Sequence, residues 1–227
     1  MENVLPIVGA VSLLLAVPVL LHLRRLTRGT TLTTTWLWAV AAWMAWESAW
    51  LLMLSPFPPA VFDHLWYAAA LLALCPPIAV LGAKRPGSRV WAMFVVAPLL
   101  LVFAWPAVVG WMHGYPPERL QLETPMQLGY CLVLLMGFGN YIGTRQTLSS
   151  LLIAFALGVM IFQFSGNPEE KPVFQPIFPT LVIVTAGMIA TFTLRRSLTS
   201  SLGWDAIWQE YQHTFGLVWA KRFMDRI

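Results

Sequence analysis

The chain has 227 residues, of which 58% are hydrophobic and 11% charged, with a mean hydropathy of +0.69. A soluble domain carries about a quarter of its residues as charges, so this composition speaks against a water-soluble fold. The apolar residues form separate long runs and lack the alternation of a β-barrel strand. The net charge of +4 comes from basic residues gathered beside the ends of those runs, which sets orientation in a membrane and makes no face for nucleic acid.

Seven runs are long and apolar enough to cross a hydrocarbon core about 30 Å thick: residues 5–23, 34–54, 59–82, 90–112, 126–144, 147–164 and 176–194. They predict an all-α integral membrane protein, a seven-transmembrane helix bundle over residues 1–196, followed by a tail over 197–227. The first run has no basic segment before it, and Arg24, Arg25 and Arg28 follow it. That order is expected of a retained helix and not of a cleaved signal peptide.

Loop charge fixes the orientation. Arg24, Arg25, Arg28, Lys84, Arg85, Arg89, Arg145, Arg195, Arg196, Lys221, Arg222 and Arg226 fall on one side of a seven-span chain, and only Arg119 and Lys171 on the other. The positive-inside rule then places the N-terminus outside and the C-terminus inside, in a multi-pass protein of a bacterial-type cytoplasmic membrane.

Within the runs, Pro18, Pro76, Pro77, Pro98 and Pro106 each remove a backbone donor and shape helix packing. Small residues four apart (Ala41, Ala45 and Ala49; Gly139 and Gly143; Ala154 and Gly158) predict close helix approach. Of the 12 tryptophans, Trp36, Trp66, Trp91, Trp105 and Trp111 stand towards span ends, where aromatic belts form; Trp43 and Trp46 lie deeper, to fill space or stack on a ligand. Cys75 and Cys131 both fall inside apolar runs and read as small buried hydrophobes. The tail repeats Trp204, Trp208, Tyr211, Phe215 and Trp219 at helical spacing, predicting a cytoplasmic amphipathic helix over Trp204 to Ile227 that lies on the bilayer or docks on a protein partner.

Chemistry has few places to sit. Glu47 is the one charge in residues 34–54, with Trp43 and Trp50 at helical spacings on either side, so acid and indoles share one stripe. It lies seven residues before Leu54, roughly 10 Å below the outer boundary at about 1.5 Å per residue. Asp63, His64, His113, Gln127 and Gln163 all fall in the same outer third. One reading is a cavity open to the outside with Glu47 at its floor and Asp63, His64 and His113 near its mouth, since an intramembrane ionisable group defaults to a proton, ion or ligand site. The other is a carboxyl that pins the bundle together through hydrogen bonds. His64 and His113 on successive antiparallel helices also have the arrangement of axial ligands to a b-type haem, but no second pair exists on the inner side. No tight metal-ligand spacing is present.

There is no Walker motif, no Gly-x-Ser-x-Gly and no His-Glu-x-x-His. The seventh run lacks a lysine for a retinal Schiff base, and no two halves match as the inverted repeats of a transporter do. The reading that follows is a non-catalytic membrane component or subunit of a larger assembly. A small transporter or proton-coupled carrier around Glu47 is the alternative, and a haem- or metal-binding intramembrane protein the third.

Overall fold

A computed structural model of the chain describes residues 4–83, 90, 92–115, 117–166 and 176–196. Among them every regular element is helical. The first apolar run folds as two helices, α1 (Val4–Leu14) and α2 (Val17–Thr27). Pro18 explains the break: in the first turn of α2 its missing N–H is no loss, but its ring excludes the carbonyl four residues back, so α1 ends at Leu14.

The second and third runs become α3 (Thr33–Leu52) and α4 (Pro59–Ala83), which pack on each other more extensively than any other described pair. A turn of π-helix (Ala92–Val96) leads into α5 (Ala97–Met112), followed by α6 (Thr124–Gly139), α7 (Thr147–Phe162) and α8 (Ile177–Arg196). Each predicted run is thus helical over most of its length. The fifth stops at Gly139 and not at Thr144, because Gly143 turns the backbone at φ +80° and the Thr144 hydroxyl donates to Tyr141 O at 2.6 Å. Lys84, Arg85, Arg89, Lys171 and the predicted tail helix lie outside the described residues.

Among the described residues two stretches, Pro59–Gly82 and Met93–Met112, are long and apolar enough to cross a membrane, the first 61% buried and the second only 11%. That contrast makes α4 the hub of the bundle, touching α3, α5, α6 and α7, and puts α5 at its edge. α6 and α7 have 16 residues each, about 24 Å at about 1.5 Å per residue.

The position of α4 overturns one expectation. Trp66, expected in an aromatic belt, faces the interior and is fully buried, with Trp46 and Trp50 edge-on to its ring at 5.8 and 5.1 Å. Both α3 indoles donate to one hydroxyl, Thr180 Oγ1 of α8, at 2.9 and 3.1 Å. Gly9 of α1 closes this cluster from the far side, where a Cβ would come within 2.8 Å of the Trp50 ring. The small-residue stripes are only partly used for close packing: Ala49 is buried, but a Cβ at Gly139 or Gly158 would meet nothing within 4 Å. Gly137 instead faces Pro77 of α4, where a Cβ would lie 3.1 Å from the proline ring. The outward faces of α3, α5, α6, α7 and α8 carry large apolar side chains such as Met44, Leu101, Leu135, Phe155 and Phe192, an extent that marks contact with a membrane or another protein.

Candidate functional site

The polar residues singled out in the sequence separate into two places. The first is the bundle end where α4 begins. Asp63, in the second turn of α4 and nearly fully buried, is ion-paired with Arg119, whose Nε and Nη2 both donate to the carboxylate. Leu120 N–H adds a further hydrogen bond to it. Arg119 belongs to an extended strap between α5 and α6, with Leu120 and Leu122 turned into the core. Leu122 N–H donates to Phe164 O beyond α7, and Gln127 Nε2 of α6 donates to Leu122 O at 2.8 Å. The strap is therefore tied to α4, to α6 and to the turn after α7, and crosses this end of the bundle.

Under the strap lies a chamber of about 390 Å³ lined by His64, Pro106, Gly110, Glu118, Arg119 and Glu123 among others. His64 is 5% exposed and its Nδ1 stands 2.8 Å from Ala60 O. A carbonyl only accepts, so this contact makes Nδ1 the donor; Nε2 is buried with no partner among the described residues. It rests on α5 where only a glycine fits, since a Cβ on Gly110 would lie 2.7 Å from it. Trp111 meets the imidazole edge-on at 5.8 Å.

His113 does not line this chamber. It is exposed at the end of α5, its Nδ1 3.9 Å from Glu118, so the two histidines share no common cavity for a haem. Gln163 is exposed at the end of α7. Among the described residues no group of three or more His, Cys, Asp or Glu side chains stands ready for a metal ion. Cys75 is buried with Sγ 3.6 Å from Leu71 O, and Cys131 is half-buried; neither is in a disulfide.

The second place is the middle of α3. Trp50 is fully buried and Trp43 is drawn to α1, donating to Leu13 O at 3.1 Å. Glu47 shares their stripe in sequence, yet it lies at the border of the outward face formed by Met44, Ser48 and Leu51. It lines neither the His64 chamber nor the apolar cavity beside Trp43. Its Oε2 is buried without a hydrogen-bond partner among the described residues. The structure thus brings Asp63 and His64 together, adds Arg119 and Gly110, which the sequence reading did not assign to the site, and leaves Glu47 apart from them.

No family model matches the chain, and no similar curated protein or solved structure was found.

Proposed function

We propose that this is a seven-span membrane protein, N-terminus outside and C-terminus inside, that serves as a non-catalytic subunit of a larger membrane assembly. The observation that carries the reading is Glu47: a carboxyl with an unpartnered oxygen at the rim of an outward, apolar helix face. A charge-bearing group at that depth costs several kcal/mol unless a polar group meets it, and the surface it borders is the one a neighbouring chain would cover. The strap closing the Asp63 end speaks the same way, since an outward-open carrier needs that end accessible. The second reading, a proton-coupled carrier, is favoured by the same unpartnered oxygen together with the free Nε2 of His64.

Native mass spectrometry of the protein taken gently from its own membrane separates them. The expected mass exceeds the 25.4 kDa of one chain, and Glu47→Leu removes the excess while the protein stays in the membrane. A lone chain in both samples, with uptake into proteoliposomes that Glu47→Gln abolishes, establishes the carrier instead. Topology is checked by reporters, which should read outside when fused at Pro168 and inside at Pro86; the reverse pattern overturns the orientation.

A further inference from the structure

An apolar cavity of about 330 Å³ lies in the half of the bundle away from Asp63. It forms where side chains or helices give way: the Leu15–Ala16 break between α1 and α2, Pro76 and Pro77 of α4, and Gly187 of α8. Trp43 and Trp46 also wall it, and their N–H groups are occupied by Leu13 O and Thr180 Oγ1, so they offer only ring faces. The hydroxyl of Thr191, a polar group in the lining, is turned back onto Met188 O at 2.8 Å. Protein interiors leave few voids larger than a water, and an apolar void does not hold water. This one falls instead in the range of ligand pockets, about 300 to 1,000 Å³.

Its access and its charge define the occupant. Leu15 and Met188 line it and are 61% and 55% exposed, so the mouth opens on the side of the bundle. Leu20 lines the same cavity, and Arg24 follows one helical turn later on that face. Trp36 fixes both: its indole donates to Leu20 O at 2.9 Å and its ring lies 5.5 Å from the Arg24 guanidinium. An apolar slot with a held cation at its end is complementary to a hydrocarbon chain bearing an acidic head.

We propose that this cavity holds one acyl chain of an anionic phospholipid from the surrounding bilayer, with Arg24 meeting its phosphate. The site rests on the membrane reading above and is independent of Glu47.

The test is lipid titration of the delipidated full-length protein in detergent, followed by native mass spectrometry, with dioleoylphosphatidylglycerol, dioleoylphosphatidylcholine and oleate as probes. One phosphatidylglycerol binds, preferred over phosphatidylcholine by about fivefold, the effect of one basic residue at a membrane surface. Gly187→Leu, whose Cβ meets nothing within 4 Å, fills the void and weakens binding about tenfold, the effect of losing one good apolar contact set. Gly158→Leu has equal open space but does not line the cavity, and it binds as the unsubstituted chain does. Arg24→Gln removes the headgroup preference. Unchanged binding in Gly187→Leu overturns the proposal, as does an equal response to both phospholipids or occupancy by oleate in place of phosphatidylglycerol. Should Gly187→Leu fail to fold, Ala42→Leu, on the α3 wall of the cavity, fills it from the opposite side and is read in the same way. Failure of the membrane reading shows separately, as loss of the reporter pattern.

Discussion

Arg119→Ala is expected to lower stability by about 3 kcal/mol, the low end for removing one partner of a buried ion pair. The low end applies because Arg119 is itself a quarter exposed while Asp63 is 4% exposed. The same difference predicts an asymmetry. Without Arg119 the Asp63 carboxyl stays buried with Leu120 N–H as its remaining hydrogen bond and His64 beside it; without Asp63 the guanidinium can turn outwards to water or headgroups. Asp63→Ala should therefore cost less, about 1 to 2 kcal/mol, and the double variant no more than Arg119→Ala alone. Denaturant unfolding of the detergent-solubilised protein measures all three. Equal losses in the two single variants, or losses that simply add, would show that the pair is not the clasp of this end.

Thr180→Val carries the second large effect, a loss of about 2 kcal/mol from a change that keeps the shape of the side chain. One hydroxyl accepts from both Trp46 and Trp50, and valine leaves two indole N–H groups unmatched between α3, α4 and α8. A stranded buried donor costs about 1 to 3 kcal/mol, while side-chain hydrogen bonds measured within membranes average about 0.6 kcal/mol; two donors bring the lower figure towards the upper one. Thr180→Ser, which retains the oxygen, should recover most of the loss. If serine and valine behave alike, packing of the γ-methyl and not hydrogen bonding holds α8 to α3.

The helices were legible because each apolar run has to satisfy its own backbone, which leaves the helix as the available form. The break after Leu14 was not: residues 5–23 read as one run, because a proline inside an apolar span bends some helices and ends others. What lay beyond local pattern is the arrangement of the helices. The span-end rule sent Trp66 to a boundary because nothing in the sequence makes α4 the central helix. Glu47, Trp43 and Trp50 stand at helical spacing in α3, but spacing does not say which neighbour a stripe meets: α8 takes Trp50, α1 takes Trp43, and Glu47 is left at the rim. Asp63 and Arg119 are 56 positions apart, and Trp46 and Thr180 are 134 apart, distances at which one sequence carries no pairing signal. His64 was singled out for its chemistry, whereas Gly110, the residue that admits its ring, looked like any other glycine in an apolar run.

The strap also sets an order of events during synthesis. Its hold on Asp63 reaches back to a helix already made, but the carbonyl that receives Leu122 N–H belongs to Phe164, which leaves the ribosome only after α6 and α7. Until then the strap is held by Asp63 alone of these two ties, and Leu122 N–H lacks its acceptor. Completion of the strap's hydrogen bonds therefore comes after the whole of α7 in chain order.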